Sequence, residues 1–169
     1  MPGSPTEAQP PATHAVAVAP ADYLWFVDLA LRDMARIVAD LGDDLANSAP
    51  PFPGANSPYV ILTHCLGVME FWGGATVAGR SIERDRAGEF TASGPVAPLL
   101  ERAGKARRRL AEDVIGLDAW AEPVNVRPNP DDPEPYSETK GAVLLHILEE
   151  LFQHLGQMEI TRDALTAQP

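Results

Sequence analysis

The sequence has little cysteine, no excess of positive charge and no recognisable targeting segment. Cys65 is the single cysteine among 169 residues, which excludes an internal disulfide and is typical of a reducing compartment. The N-terminus lacks a basic stretch followed by an apolar one, so we predict no signal peptide. We also expect no apolar run to approach the ~20 residues of a membrane span. These features together predict a cytoplasmic protein that does not associate with membranes.

The charge balance excludes a class of partners. Lys and Arg number 13 against 24 Asp and Glu, which gives a net charge of -11. Nucleic-acid binding needs a concentrated basic surface, so we predict no nucleic-acid partner. The one dense basic run, residues 105–109, lies close to Glu101, Glu112 and Asp113 and is typical of a solvated helix face.

The length and the hydrophobic share of 45% fit one soluble globular domain. Residues 1–19 are rich in Pro and Ala and lack periodicity, which predicts a disordered tail. His14 lies in this tail and is therefore not expected to be a ligand. The folded domain is predicted to span residues 20–166.

Apolar residues at helical spacing predict four helices, near residues 21–46, 57–79, 95–115 and 137–165. Ser57 and Pro58 form a typical helix start, because Ser accepts a hydrogen bond from a free backbone N–H and Pro lacks one. Gly42 is expected to weaken the first helix, and Gly116 to end the third. The apolar stripe of the first helix comprises Leu24, Val27, Leu31, Met34, Val38, Leu41 and Leu45.

The third and fourth helices are separated by a proline-rich stretch, residues 117–136. Its prolines exclude a regular helix, and residues 124–126 are too short to predict a sheet. The stretch is either a lid over a functional site or a passive crossover. Four amphipathic helices with one long crossover predict an all-α four-helix bundle.

Two helices carry residues that suit a metal site. Glu150 and His154 are four residues apart, so they share one face of the last helix, and His64 lies on the apolar face of the second helix. Two imidazoles and a carboxylate suit zinc and related ions. Alternatively, His64 is a hydrogen-bonded core histidine and an arginine neutralises Glu150.

The last helix, LHILEELFQHLGQM at residues 145–158, resembles the C-terminal signature of the DinB/YfiT-like superfamily. Its His154-Leu155-Gly156-Gln157 is similar to the family's His-x-Gly-Gln ending, which has a ligand one turn earlier. The segment NSPYVILTH at residues 56–64 resembles the helix that supplies the family's first histidine. The pattern His64, Glu150, His154 is similar to that of the mycothiol-dependent branch, which includes maleylpyruvate isomerase.

This resemblance covers roughly residues 20–166. It implies a divalent metal, with zinc expected first and nickel or another ion also open, and mycothiol as a cosubstrate. The implied function is a metal-dependent thiol S-transferase acting on a small electrophile. Two alternatives stay open: a mycothiol-dependent cis–trans isomerase, and a bundle that binds metal or a ligand without turnover. A homodimer is also implied.

Other polar residues near the predicted site have less defined roles. His146 either donates a hydrogen bond to Glu150 or is a half-buried polar residue near the bundle end. Cys65 is predicted to be a small core residue, because adjacent helical residues point ~100° apart. We interpret four residues as candidates to bind the thiol, with surface ion pairing as the alternative for the arginines: Asn56, Arg80, Arg84 and Arg86.

Overall fold

The computed structural model describes residues 17–124 and 138–167, and within them the chain is helical with no β-strand. The helices are α1 (Pro20–Ala46), α2 (Pro58–Val68), α3 (Arg86–Glu89), α4 (Val96–Val114) and α5 (Lys140–Thr166). A π-helical segment, Met69–Val77, continues α2 without a break. Helix α1 packs against α4 and α5, and α2 packs against α5. The predicted all-α bundle is confirmed. The predicted tail falls largely on residues 1–16, outside the described residues, as does His14.

Helix α1 follows its predicted stripe until Gly42. Val27, Leu31, Met34 and Val38 are buried. Gly42 takes φ +66°, outside the helical region, so the residues after it change their phase around the helix axis. Leu45, predicted in the core, is therefore 40% exposed, and Ala46 is buried in its place.

Helix α2 runs through the centre of the bundle. Its predicted start is confirmed, since the Val60 N–H donates to Ser57 Oγ at 3.2 Å. Every residue from 60 to 69 is buried, so this helix has no solvent-facing side there. The expectation that no apolar stretch has membrane-spanning length is wrong, because Pro58–Val77 meets that criterion by length and composition. Most of the stretch is buried inside the protein, as in the core helix of a bundle.

The π-helical segment begins one turn after His64. The Ala78 N–H reaches back to the Gly73 carbonyl at 3.0 Å, a wider turn than an α-helix makes. A Cβ on Gly73 would lie 2.8 Å from Leu110 Cδ1, so the glycine lets α4 approach closely. The helix therefore does not break at Gly73 and Gly74 but changes to the wider helix type.

The polar segment after Gly79 contains a helix that the sequence pattern did not predict. Helix α3 is one turn long, and the Gly88 N–H donates to the Asp85 side chain at its start, at 2.9 Å. Helix α4 ends as predicted, with Gly116 at φ +74°. The buried face of α4 comprises Val96, Leu99, Ala103, Ala106, Leu110 and Val114.

The first part of the predicted crossover is held by backbone hydrogen bonds. Val124 N–H donates to the Thr76 carbonyl at 2.8 Å, and Gly141 N–H donates to the Ala119 carbonyl at 2.8 Å. Helix α5 begins at Lys140 rather than near Ser137, because Thr139 accepts from the Ala142 N–H. Residues 125–137 lie outside the described residues, so the lid stays a prediction.

Candidate metal centre

Helices α2 and α5 bring three of the predicted residues together. His64 Nε2 lies 3.3 Å from Glu150 Oε2, and His154 Nε2 lies 3.2 Å from the same oxygen. One ligand atom from each of the three residues lies within 4.8 Å of the others. The two imidazole rings are 4.9 Å apart and meet edge to face. We call His64, Glu150 and His154 the triad.

The triad is buried unevenly. The His64 side chain is 6% exposed, whereas those of Glu150 and His154 are each 21% exposed. Helical spacing places Glu150 and His154 one turn apart on α5, at the boundary between its buried and exposed faces. The triad therefore has one side anchored in the core and one side partly exposed to solvent.

Hydrogen bonding shapes the protonation of the two α5 residues. Hydrogen bonds from His154 and then His64 hold the pKa of Glu150 far below its ordinary value, although burial acts in the opposite direction. The hydrogen bond to Glu150 raises the pKa of His154, and a contact with Gln157 adds to this effect. His154 Nδ1 lies 2.8 Å from Gln157 Oε1, so its other nitrogen is the one that faces the triad.

The donor set fits a divalent cation. Two imidazole nitrogens and one carboxylate oxygen are ligands that zinc accepts, and three protein ligands leave a fourth position free. With bonds of ~2.1 Å, the edges of a tetrahedral site measure about 3.4 Å. The triad's nitrogen–oxygen separations of 3.3 and 3.2 Å are close to that spacing. The same separations also suit hydrogen bonds from protonated imidazoles. The geometry therefore fits both a bound cation and, without one, imidazole N–H groups that donate to Glu150.

His146 lies beside the triad. Its Nε2 is 3.8 Å from Glu150 Oε1, and its Nδ1 is 3.2 Å from Glu149 Oε2. The ring meets Trp72 edge to face at 5.2 Å. His146 thus lies nearest to Glu150 Oε1, whereas His64 and His154 lie nearest to Oε2.

Glu89 and Arg84 lie on the other side of His64, and the sequence pattern did not predict that they pair with each other there. Buried Glu89 places Oε2 2.8 Å from His64 Nδ1. Arg84, predicted as a thiol contact, donates to both oxygens of Glu89 at 2.6 and 2.8 Å. The one available sequence feature was Gly67, an isolated glycine in an apolar helix, which is typical of a close approach by another group.

The other predicted thiol contacts, Arg80, Arg86 and Asn56, have different surroundings. Arg80 is paired with the buried carboxylate of Asp113 through both terminal nitrogens. Arg86 is exposed, with its guanidinium carbon 5.4 Å from the centre of the Phe90 ring. That ring lies 5.0 Å from the His64 ring, so Arg86 is near the triad. Asn56 is half-buried and precedes the Ser57 cap, about two turns ahead of His64.

Cys65 is fully buried beside the triad. Burial is the main cause of its raised pKa, and the carboxylates of Glu150 and Glu89 add to it. A thiol in this environment stays protonated, which agrees with its predicted role as a core residue.

Comparison with known proteins identifies the family. The model of the DinB superfamily matches residues 27–158, a range that contains the triad, Glu89 and all five helices in whole or in part. No curated protein and no solved structure matches the chain. The family match covers well over half of the sequence, and the chain therefore belongs to the DinB superfamily.

Proposed function

We propose that the protein is a metal-dependent thiol S-transferase that uses a low-molecular-weight thiol as nucleophile. The observation that carries the proposal is the convergence of His64 Nε2, His154 Nε2 and Glu150 Oε2 at the partly open side of the bundle. A purely structural set of ligands would be expected to be closed on all sides. Membership of the DinB superfamily supports a metal at this place.

The triad would hold the cation, and each residue has a separate part in this. His64 is fixed in the core, while Glu150 supplies the negative charge that offsets part of the cation's charge. His146 lies close enough to Glu150 Oε1 to restrict the rotation of the carboxylate. A divalent cation bound here would accept a thiol at its fourth position and favour the thiolate, which is the nucleophile.

We propose mycothiol as the thiol, because the order His64, Glu150, His154 is similar to that of the mycothiol-dependent branch. Its polar parts need contacts at the open side of the triad. Among the candidates, Arg86 is supported best, because it is exposed and packs on Phe90 beside His64. Arg80 and Arg84 each make a two-point pairing with a carboxylate, so we expect them to shape the site rather than to bind the thiol directly.

The test is metal analysis of the purified protein, followed by an assay with mycothiol and monochlorobimane as a model electrophile. In this reaction the thiol sulfur forms the new bond to carbon, chloride leaves, and the thiol proton passes to solvent. We expect about one equivalent of zinc or another divalent metal, and transfer that a chelator abolishes. Metal without transfer would favour the isomerase, which maleylpyruvate turnover would reveal, or a bundle that only binds metal. Absence of bound metal would contradict the proposal.

A further inference from the structure

A second buried chain of contacts approaches His64 from the side opposite the triad. It runs from Arg84 through Glu89 to His64 Nδ1, and the Arg84 and Glu89 side chains are 13% and 6% exposed. Arg84 donates its Nε–H to one oxygen of Glu89 and an Nη2–H to the other. Both imidazole nitrogens of His64 are therefore engaged, with one carboxylate on each side.

The direction of the hydrogen bond at Nδ1 follows from its neighbours. A carboxylate that accepts two hydrogen bonds from an arginine has no proton to give, so it can only accept from His64. Arg84 Nη2 also lies 3.4 Å from Nδ1, but this contact is much longer than the 2.8 Å to Glu89. The Arg84 donors are also already directed at Glu89. Nδ1 therefore carries a hydrogen and donates it to Glu89.

A glycine in α2, Gly67, leaves room for the Glu89 side chain, although glycine weakens the helix. Gly67 lies one turn after His64, near the end of buried α2 where the π-helical segment continues the helix, and glycine is among the poorest helix formers. A Cβ at this position would overlap the carboxylate of Glu89. Its φ is not in the left-handed region, so no backbone requirement explains the glycine. Glycine at position 67 is explained by the space that Glu89 needs.

We propose that Glu89 is a positioning residue for the metal centre. By accepting the Nδ1 hydrogen of His64, it leaves Nε2, the nitrogen that faces Glu150 and His154, as the one that binds a cation once Nε2 has lost its proton. Arg84 orients Glu89, and Gly67 admits it. This inference rests on the metal site of the proposed function. Carboxylates that accept from the outer nitrogen of a ligand histidine commonly contribute 10–100-fold to metal affinity.

The same region of the molecule contains a matched control. Glu70 accepts from Arg102 Nε at 3.0 Å and from Nη2 at 2.6 Å, the same two-point pairing that Arg84 makes with Glu89. Both pairs line one cavity of about 310 Å³, between α2, α3 and α4. Among the described contacts of Glu70 there is none to a histidine. Replacing Glu70 by Gln therefore alters a carboxylate–arginine pair with the same two-point geometry, but with more exposed side chains, without touching His64.

The test compares four variants of the full chain: E89Q, E70Q, G67A and G104A. Zinc affinity is measured by competition with a chromogenic chelator, and unfolding of the metal-free proteins is followed by circular dichroism. We expect E89Q and G67A to bind zinc about 10- to 100-fold more weakly than wild type. E70Q and G104A should bind as wild type does, because Gly104 has room for a methyl group against the end of Arg108. G67A keeps every charge, so a loss of zinc affinity in this variant would show that the position of Glu89, and not only its charge, matters.

A second readout does not depend on metal. Nitrogen-15 spectra of the imidazoles in metal-free protein, at alkaline pH where they are neutral, report which nitrogen carries hydrogen. We expect His64 in wild type and E70Q to be protonated on Nδ1, and E89Q to show a mixture. Wild-type affinity in E89Q, or hydrogen on Nε2 of wild-type His64, would overturn the positioning role. If E89Q weakens zinc binding but wild type transfers no thiol, the proposed function fails and the positioning role stands.

Discussion

Helices α2 and α5 together supply the residues of the triad, but they differ in how much of their surface is buried. Helix α2 is buried on every side around His64, which has a carboxylate at each nitrogen. Helix α5 has buried and exposed residues along its length, and Glu150 and His154 are only partly buried. We therefore expect the fold to require His64 and to tolerate the loss of Glu150 or His154.

Replacing His154 by Ala should have the largest effect, and on function alone. The substitution removes a ligand, while Ala is the best helix former and the site is partly exposed. We expect zinc affinity and thiol transfer to fall by about 100-fold or more, because removing a metal ligand should weaken binding more than removing a residue that is hydrogen-bonded to a ligand. The melting temperature of the metal-free protein should change little. A variant with full transfer activity would show that His154 is not a ligand.

Replacing His64 by Ala should affect both function and folding. The variant leaves a cavity in the core and takes a hydrogen-bond donor from buried Glu89. In urea denaturation of the metal-free proteins, we expect a loss of about 2 kcal/mol, compared with less than about 1 kcal/mol for His154→Ala. Equal losses in the two variants would contradict the distinction between α2 and α5.

The pH dependence should differ between the metal-free and the metal-bound protein. Glu150 raises the pKa of His154 above its ordinary 6.5, so this pair stabilises the fold below that pH and less as pH rises through the raised value. The pKa of Glu150 is lowered from its ordinary value of 4.5, so the stabilisation of the fold by this pair is fully present above pH 4.5. Metal-free protein should therefore be most stable between about pH 4.5 and 6.5 with respect to this pair.

Zinc affinity should follow the opposite trend, because a ligand imidazole must lose its proton. Affinity should rise with pH until the raised pKa of His154 is passed. Zinc titrations and urea curves at pH 6 and pH 8.5 would measure both trends. In Glu150→Gln, the stability difference between these two pH values should shrink. If it persists unchanged, another group is responsible for it.

The smallest effect should come from Arg86 at the rim of the site. Arg86→Ala removes one exposed contact to the thiol, so we expect KM for mycothiol to rise about two- to five-fold with kcat nearly unchanged. Arg109→Ala is the control, since Arg109 is equally exposed on α4 and pairs with Glu112. The same rise in both variants would indicate a general charge effect rather than a contact at the rim.

The sequence predicted the helices well because their apolar residues recur at the helical period. The triad followed from the i, i+4 spacing of Glu150 and His154 and from a histidine on an apolar face. The phase change after Gly42 was missed, because periodicity assumes an unbroken helix axis.

Helix α3 was missed for a different reason. Four mostly polar residues carry no apolar period, and Asp85 as a cap is visible only once the turn is known. The pairing of Glu89 with His64 joins residues 25 apart through this turn, so local patterns did not predict it. The wider π-helical turns depend on close packing of Gly73 against α4, which is a tertiary effect.

The most direct test of the proposed metal centre is X-ray absorption spectroscopy of the zinc-loaded protein, recorded with and without mycothiol. We predict light ligands at ~2.0–2.2 Å, including two imidazoles, from His64, Glu150 and His154. Adding the thiol should introduce one sulfur at ~2.3 Å, and His154→Ala should lose the bound metal. A zinc spectrum that the thiol leaves unchanged, or that is the same in His154→Ala, would show that the triad is not a thiol-binding metal centre.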